Sequence, residues 1–356
     1  MSISSVKIVG SGLIGTSIGL ALSAQGIRVC MSDIDPSASA LAQSLVGTFP
    51  ESDSAQVFDL VVLAIPPSAF RSTIEIESKL NPLSTFVDIL SIKTKPLLEV
   101  QELGDLASRF IGTHPMAGRE ISGPQSARGD LFAGRTWIVT TGDSAEKHSI
   151  DVAAELISIC GGVPIYMDPE NHDRAMALVS HTPQMLASLL AAQLIEADPQ
   201  WLALIGQGFR DFTRIADSDP LLWKDIISEN ATNILPVLSN FRKSLEKIES
   251  ELTDSSAAQS FIELGNRGRK LIPGKHGNVA RSYIYLHIVI DDKAGQLAAI
   301  FNDCASASVN IEDVSIEHTP GQNTGLVTLS ILDEEKAQFL ELFLTQQGWK
   351  VHLTSN

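Results

Sequence analysis

Short apolar runs recur through the first half of the chain, and helical or loop segments separate most of them. Each run has the length of a buried strand, and strands that alternate with helices are typical of a parallel sheet with helices on both faces. We therefore predict a doubly wound α/β domain over residues 1–170. Its strands are predicted at residues 6–9, 28–32, 60–65, 85–89, 109–112, 137–140 and 163–167.

The pattern changes after residue 171, where apolar residues recur at spacings of three and four. That period is typical of amphipathic helices, and no strand pattern interrupts it up to residue 271. We predict an all-α domain over residues 171–271, which would bury its apolar faces by forming a homodimer. Its helical segments are predicted at residues 172–196, 199–208, 220–250 and 255–270.

A third domain is predicted after residues 272–281, which have the composition of a linker. The elements beyond the linker follow in the order β-α-β-β-α-β, which is the ferredoxin-like order. We assign residues 282–356 to this domain. Its strands are predicted at residues 283–290, 310–318, 325–332 and 350–353, and its helices at residues 296–306 and 334–347.

Length and charge narrow the class of protein. A chain of 356 residues is too long for one ordinary hydrophobic core, in agreement with two or three domains. The formal net charge is −16, with 26 Lys and Arg residues, which argues against nucleic acid and anionic membrane as partners. An anionic ligand would therefore need a locally basic pocket.

Cysteine usage and the start of the chain predict a cytoplasmic protein. Cys30, Cys160 and Cys304 have neither disulfide nor metal-ligand spacing, so we predict a reducing compartment and no metal site. The first strand is predicted to begin by residue 6, which leaves no room for a signal peptide. The apolar stretch 175–195 contains a histidine, a proline and a glutamine, so we predict a buried helix and no membrane span.

Residues 6–15 join the first predicted strand to the sequence Gly-x-Gly-x-x-Gly, and a helical stretch follows. In this setting Gly10 makes the tight turn, Gly12 lets a pyrophosphate approach the backbone, and Gly15 allows helix and strand to pack closely. The N-terminus of the helix supplies free N–H groups for the phosphates. The second strand ends at Asp33, about where a ribose-binding carboxylate is expected. We therefore predict a Rossmann-type dinucleotide site.

Asp33 also predicts which dinucleotide binds. Its carboxylate would repel a 2′-phosphate, and no Arg or Lys follows closely, so NAD is favoured over NADP. The turn at Pro66, after the third strand, is placed to flank the adenosine or the nicotinamide. The predicted cofactor-binding residues are Gly10, Gly12, Leu13, Ile14, Gly15, Asp33, Pro66 and Ser91.

Polar residues follow the fourth and fifth strands, and ligands of an open parallel sheet bind outside the carboxyl ends of its strands. An imidazole titrates near neutrality, so we favour His114 as the base that takes a proton from an alcohol, over a loop cap. Ser91 fits equally a bridge between that histidine and the nicotinamide, or an N-cap. Lys93 is predicted to be structural or a phosphate-side charge, and Glu120 fits a substrate contact or a solvated loop acid.

A second group of polar residues lies in the helical region, where Arg210, Asp211 and Arg214 stand among apolar residues. The two arginines are four residues apart and would share one face of a helix. Because a buried arginine needs an anionic partner, we assign an internal pair with Asp211 to Arg210 and a substrate carboxylate to Arg214. His181 interrupts an apolar helix, and we assign it a role facing the pocket.

Together these motifs resemble the prephenate/arogenate dehydrogenase family of tyrosine biosynthesis, over almost the whole chain. The C-terminal domain, with Gly295 and the Val-Asn-Ile sequence at 309–311, resembles an ACT domain. The other residues that carry the resemblance are Gly-Ser-Gly-Leu-Ile-Gly-Thr-Ser at 10–17, Asp-Ile-Asp-Pro at 33–36, Asp-Ile-Leu-Ser-Ile-Lys at 88–93, His-Pro-Met-Ala-Gly at 114–118, Ser-His-x-Pro at 180–183 and Gly-Phe-Arg-Asp-Phe-Thr-Arg-Ile-Ala at 208–216.

The resemblance implies an NAD-dependent oxidation of a ring hydroxyl, with loss of the ring carboxylate as CO₂ and aromatisation of the ring. By matching position, His114 would accept the hydroxyl proton, Ser91 would hold His114 and the nicotinamide in register, and Arg214 would bind a substrate carboxylate. The ACT-like domain implies feedback inhibition, with tyrosine as the effector. The residues that would line or gate the pocket are His181, Glu120, Gln184 and Trp223.

Three alternatives stay open at this point. Gln184 stands where many prephenate-using members carry a second histidine, so arogenate remains the second candidate substrate after prephenate. A non-catalytic sensor of an amino acid or a cofactor is disfavoured by the intact set of site residues. A β-hydroxyacid dehydrogenase is disfavoured because no catalytic lysine stands out between residues 172 and 220.

Overall fold

The computed structural model describes residues 3–47, 57–118, 123–272, 283–291, 293–318 and 324–355. The chain divides into two compact units, Met1–Ser244 and Leu245–Asn356, and each is treated by itself. The predicted linker lies outside the described residues except for residue 272. The domain boundaries predicted from the sequence therefore stay predictions.

The first unit contains a seven-stranded sheet in the order β2-β1-β3-β4-β5-β6-β7. The strands are β1 Ser5–Val9, β2 Arg28–Ser32, β3 Leu60–Leu63, β4 Thr85–Asp88, β5 Phe110–Pro115, β6 Thr136–Thr140 and β7 Val163–Tyr166. Neighbouring strands are parallel, as predicted, except that β5 and β6 are antiparallel. A parallel pair needs a crossover helix, and the described part of the β5–β6 connection contains only the short turn Pro124–Ser126.

Helices cover both faces of this sheet. Leu60 and Val62 belong to one buried cluster, whereas Val61 and Leu63, between and beside them on the same strand, belong to another. This alternation follows from the period of two along a strand, and it confirms the predicted doubly wound arrangement. The helices are α1 Leu13–Ala24, α2 Pro36–Val46, α3 Phe70–Leu80, α4 Thr94–Gln101 and α5 Lys147–Ile159.

The region after the sheet is helical, as predicted. Its helices are α6 Pro169–Met176, α7 Thr182–Ala192, α8 Pro199–Leu202, α9 Gln207–Thr213, α10 Pro220–Glu229, α11 Ala231–Glu251 and α12 Ser255–Arg269. The predicted continuous helix 172–196 is instead interrupted by a π-helical turn, Ala177–His181. Pro183, just after this turn, lacks an amide hydrogen and displaces the carbonyl one turn earlier, which accounts for the wider turn.

The prediction of a buried helix at 175–195 is wrong for the single chain. Leu178 is 57% exposed and Ile195 is 84% exposed. By length and composition alone, Pro169–Glu196 would be long and apolar enough to cross a membrane, and only 33% of its most apolar window is buried. Within the described part of the single chain, the outer apolar face of this stretch is therefore largely exposed.

The second unit contains a four-stranded antiparallel sheet in the order β11-β8-β10-β9. Its elements follow the predicted β-α-β-β-α-β order. Leu286, Ile288, Val327 and Leu329 point to one face and form the core of this domain with apolar residues of the two helices. The elements are β8 Ile284–Asp291, α13 Gln296–Ser306, β9 Asp313–His318, β10 Thr324–Ile331, α14 Glu334–Gln346 and β11 Lys350–Ser355.

Candidate active site

The glycine loop joins β1 to α1, and its three glycines differ in what surrounds them. Gly10 has a φ of +107°, and a Cβ there would lie 2.0 Å from the carbonyl oxygen of Ala64. A Cβ on Gly15 would lie 2.1 Å from the carbonyl oxygen of Gly10. Gly12 is exposed and has no atom within 4 Å of its Cβ position. Gly10 and Gly15 are therefore required by the loop, because a side chain at either position would clash with its backbone. Gly12 instead leaves the backbone open to a phosphate.

Asp33 lies beside this loop at the end of β2, as the sequence predicts. One of its carboxylate oxygens accepts a hydrogen bond from the backbone N–H of Ser11 at 2.5 Å, and the other accepts one from the N–H of Asp35 at 2.9 Å. Asp33 therefore holds the glycine loop in place as well as standing where a ribose would bind. Sequence reasoning had assigned only the second of these roles.

The other predicted cofactor contacts also follow strand ends. Leu13 and Ile14 begin α1, and Pro66 is exposed after β3. Ser91 is half-buried in the segment between β4 and α4. Within the described chain no hydrogen bond joins Ser91 to His114, so the predicted bridge remains a prediction.

His114, the predicted base, belongs to a chain of hydrogen bonds that the sequence analysis missed. It is the fifth residue of β5, and its Nδ1 lies 2.9 Å from Nε2 of His172. His172 is fully buried in α6, and its Nδ1 lies 2.8 Å from a carboxylate oxygen of Asp173. Asp173 also accepts the backbone N–H of Lys93 at 2.8 Å and that of Thr94 at 2.9 Å. These bonds fasten α6 to the segment that follows Ser91.

His172 and Asp173 lack a motif of their own, which is why sequence reasoning passed over them. The available signal was a His-Asp pair in the first turns of a helix that follows the last strand of the sheet. Asp168 caps that helix, since its side chain accepts the N–H of Asn171 at 2.7 Å. His172 and Asp173, a few residues along, belong instead to the hydrogen bonds behind His114.

A buried ion pair lies beneath His114. Lys93 and Asp88 have fully buried side chains, and the ammonium group donates to the Asp88 carboxylate, which also accepts the N–H of Thr113 at 2.7 Å. Of the two roles predicted for Lys93, this pairing supports the structural one. Burial raises the pKa of Asp88 and lowers the pKa of Lys93, and the attraction between them opposes both shifts.

The surroundings of His114 favour a neutral imidazole. Burial lowers the pKa of His114 well below its usual value near 6.5, and His172, Lys93 and His181 lower it further. The pKa of His172 is lowered by burial, although its hydrogen bond to Asp173 opposes the shift. Burial alone would raise the pKa of Asp173, but hydrogen bonds from His172, Thr94 and Lys93 outweigh it and hold that pKa below its usual value.

His181 is a third buried histidine in this region. Its Nδ1 lies 3.0 Å from the side-chain nitrogen of Asn230, which also donates to the backbone carbonyl of Asp173 at 2.8 Å. The Asn230 oxygen accepts from Asn233 at 2.8 Å, which fixes the orientation of the amide. The His181 Nδ1 must then accept, so the proton is on Nε2, an atom with no partner in the described chain. Burial lowers the pKa of His181 to about 4.

Two other predicted pocket residues lie near His181. The Trp223 ring stands edge-on to the His181 ring, with 6.0 Å between their centres. Gln184 is buried in the first turn of α7. Glu120, also predicted to contact substrate, lies outside the described residues, as does Arg119.

The predicted arrangement of Arg210 and Arg214 is wrong in two respects. α9 ends at Thr213, so Arg214 begins a separate 3₁₀ turn, Arg214–Ala216, and the two arginines do not share one helix. Both side chains are exposed, and Asp211 accepts a hydrogen bond from Gln207 at 2.7 Å instead of pairing with Arg210. An exposed arginine is hydrated and needs no internal anion. The turn that contains Arg214 packs against α7, the helix that carries Gln184.

Two family models match the chain. Residues 18–166 match the nucleotide-binding domain of prephenate dehydrogenase. Residues 168–264 match the prephenate dehydrogenase dimerization domain. The boundary between these matches falls between β7 and α6, next to the His172–Asp173 pair.

Individual relatives agree with the family models. The chain is 31% identical over 346 residues to a Streptomyces niveus protein named "Probable prephenate dehydrogenase NovF", covering 94% of this chain and 95% of that one. It is 25% identical to the Bacillus subtilis prephenate dehydrogenase, covering 93% and 92% of the two chains. The crystal structure of the Aquifex aeolicus prephenate dehydrogenase with hydroxyphenyl propionate and NAD⁺ matches with a TM-score of 0.69 at 29% identity, covering 76% of this chain and 99% of that one. The chain therefore belongs to the prephenate dehydrogenase family of enzymes.

Proposed function

We propose that this enzyme is an NAD-dependent prephenate dehydrogenase, which oxidises and decarboxylates prephenate to 4-hydroxyphenylpyruvate. The observation that carries the proposal is the contact of 2.9 Å between Nδ1 of His114 and Nε2 of His172, in surroundings that lower the pKa of His114 well below 6.5. Its Nε2 is the nitrogen left to receive a proton from a substrate hydroxyl.

The residues at the glycine loop fit NAD. The exposed backbone at Gly12 and the first N–H groups of α1 accommodate a pyrophosphate, and the Asp33 carboxylate suits a ribose diol. When bound, NAD supplies the hydride acceptor. Asp33 also disfavours the 2′-phosphate of NADP by charge repulsion.

Around the reacting ring, the chain's own residues orient the substrate and move one proton. His114 takes the hydroxyl proton at Nε2, and Ser91 holds His114 and the nicotinamide in register. Arg214 binds a substrate carboxylate, and His181, Gln184, Glu120 and Trp223 line the pocket. Because aromatisation of the ring drives the loss of CO₂, the protein mainly has to align the hydroxyl, the base and the anion clamp.

Arogenate is the second candidate substrate, and Gln184 is the residue that keeps it open. Prephenate carries a keto group where arogenate carries an amino group. The buried Gln184 amide can donate a hydrogen bond to the keto oxygen of prephenate or accept one from the amino group of arogenate.

We also propose a homodimer and a regulatory C-terminal domain. The exposed apolar residues of α7 and its neighbours, together with the match to a dimerization domain, support burial against a second copy. The ferredoxin-like order of the second unit supports an ACT-type domain with tyrosine as effector. A cytoplasmic location stays a prediction from the sequence.

The decisive experiment compares initial rates on prephenate and arogenate, each with NAD and with NADP, by absorbance at 340 nm. We expect the highest kcat/KM with prephenate and NAD. The His114→Asn variant should lose about 10²–10⁴-fold in turnover, while the exposed His148→Asn variant serves as the matched control. A higher kcat/KM with arogenate would make arogenate the substrate. If the enzyme turns over neither compound, the proposed function is refuted.

A further inference from the structure

We propose that His172 and Asp173 are positioning residues that keep the ring proton of His114 on Nδ1 and leave Nε2 bare for the substrate hydroxyl. This inference rests on the proposed function, since it concerns the base of that reaction. Neither residue belongs to the set that the sequence predicted for the site.

The direction of the hydrogen bonds can be worked out from Asp173. Its carboxylate accepts the backbone N–H groups of Lys93 and Thr94 and lies 2.8 Å from Nδ1 of His172. Two backbone donors on one carboxylate favour the ionised form, which can only accept a hydrogen bond from His172. The Nδ1 of His172 must therefore carry a proton.

The proton on Nδ1 of His172 in turn determines the direction of its hydrogen bond to His114. His172 is buried and neutral, so a proton on Nδ1 leaves its Nε2 as an acceptor. The contact of 2.9 Å between that atom and Nδ1 of His114 is a hydrogen bond only if His114 donates. His114 is neutral as well, so its Nε2 has no proton. The buried carboxylate thus selects the tautomer of a histidine two links away.

The charged groups around His114 agree with this assignment. From the β4–α4 segment, Lys93 faces the two histidines with its charge balanced by Asp88. From the π turn, burial lowers the pKa of His181 to about 4 and so keeps it neutral near pH 7, and the bond from Asn230 places its proton on Nε2. Asp173 is then the anion nearest to the histidine chain, and the one hydrogen-bonded to it.

A purely structural role is the competing explanation, because Asp173 also ties α6 to the backbone at Lys93 and Thr94. The two explanations differ in what they predict for the proton on His114. A purely structural Asp173 would stabilise the fold without determining which ring nitrogen of His114 carries the proton. The positioning role requires a particular ring nitrogen to carry the proton.

The first measurement is therefore nitrogen-15 NMR of the histidine side chains in the intact wild-type enzyme, assigned with the His114→Asn variant. We expect His114 to be protonated at Nδ1 and bare at Nε2. A proton on Nε2 would overturn the inference. This measurement needs neither substrate nor a stable His172 variant, so it decides the question even where such a variant fails to fold.

The second measurement separates two substitutions of His172. Gln offers an acceptor to His114 and a donor to Asp173, whereas Leu offers neither. We expect His172→Leu to lower kcat by about 10²–10³-fold with KM within about threefold, and His172→Gln to recover most of the loss. The exposed His148→Leu variant is the control. Equal losses for Leu and Gln, or a change confined to KM, would contradict the positioning role.

The two proposals can fail separately. An enzyme that turns over neither prephenate nor arogenate, but has the His114 proton on Nδ1, refutes the proposed function and leaves the hydrogen-bond chain intact. An active enzyme with the proton on Nε2 keeps the function and refutes the positioning role.

Discussion

His114 and His172 are 58 residues apart in the chain, yet their facing ring nitrogens lie 2.9 Å apart, with the two rings inclined at 70°. One belongs to the middle of the nucleotide-binding sheet and the other to the first helix after it. The contact joins the parts of the chain that two separate family models match. The histidine that we propose as the base is therefore held by the helical region, although the strand supplies it.

The first prediction concerns the dependence of activity on pH. The proposed base must be neutral to accept a proton, and burial together with neighbouring charges holds the pKa of His114 well below 6.5. We expect kcat/KM to stay level as the pH falls through 6.5 and to decline only at lower pH, as His114 gains a proton. Circular dichroism at each pH would establish that the fold persists. An acid limb centred at or above pH 6.5 would contradict the assignment.

Stability should depend on pH in the same direction. Burial lowers the pKa of His181 from 6.5 to about 4 in the folded chain. Between these values the unfolded chain binds more protons than the folded one, so the free energy of unfolding falls as the pH falls. The loss from His181 alone would reach about 3 kcal/mol across the window. Urea unfolding at pH 7 and pH 5 should show about 2 kcal/mol of this loss, and His181→Gln should flatten the slope.

The glycine loop allows cofactor binding to be separated from folding. The Gly12 backbone is extended and its Cβ position is open, so Gly12→Ala should fold normally but raise KM for NAD by about tenfold or more, because a methyl group would meet the pyrophosphate. Gly15→Ala instead forces a Cβ to 2.1 Å from the Gly10 carbonyl oxygen, and we expect it to lower stability by about 1–3 kcal/mol. Thermal unfolding and NAD titration measure the two effects. Equal behaviour of the two variants would contradict this division of roles.

The sheet and its ligand edge were predictable because they depend on short-range patterns. Apolar runs with turn residues between them located all seven strands of the first sheet, and the strand ends brought Asp33, Ser91 and His114 to one edge. The reversed pairing of β5 and β6 was not predictable in this way. Strand periodicity carries no direction, and direction here depends on how a long connection returns.

The hydrogen-bond chain behind His114 was not predictable from the sequence. His172 and Asp173 act through residues 58 and 80 positions away, and no local pattern encodes such contacts. The exposure of Arg210 and Arg214 was missed for a related reason. Apolar neighbours suggested burial, but in the single chain Phe212 is 53% exposed, and Phe209 and Ile215 are only half-buried.

Asp33 should determine the choice of dinucleotide. Asp33→Asn removes the negative charge and keeps one oxygen, which can accept the N–H of Ser11 but not also that of Asp35. We expect KM for NAD to rise by about tenfold, since a charged hydrogen bond to the ribose is lost, and the discrimination against NADP to narrow. Asp35→Asn, two residues along at the cap of α2, is the matched control. If the variant still rejects NADP as strongly as the wild type, the Asp33 charge does not determine the choice of dinucleotide.

Removal of the ferredoxin-like domain tests regulation. A chain that ends at residue 272 keeps every described residue of the site and lacks the four-stranded sheet. If tyrosine acts on that domain, the truncated enzyme should remain active and lose inhibition by tyrosine. Rates with and without tyrosine at subsaturating prephenate measure this. Inhibition that survives truncation would place tyrosine at the active site instead.

The buried pair of Lys93 and Asp88 provides the sharpest test of stability. Lys93→Met would leave the Asp88 carboxylate buried without its cation, and we expect a loss of about 3–5 kcal/mol in the free energy of unfolding. Adding Asp88→Asn removes the uncompensated charge and keeps an acceptor for the N–H of Thr113, so the double variant should be more stable than Lys93→Met alone. Urea unfolding of the three proteins measures the difference. A double variant no more stable than Lys93→Met would show that the loss does not come from the uncompensated charge of Asp88.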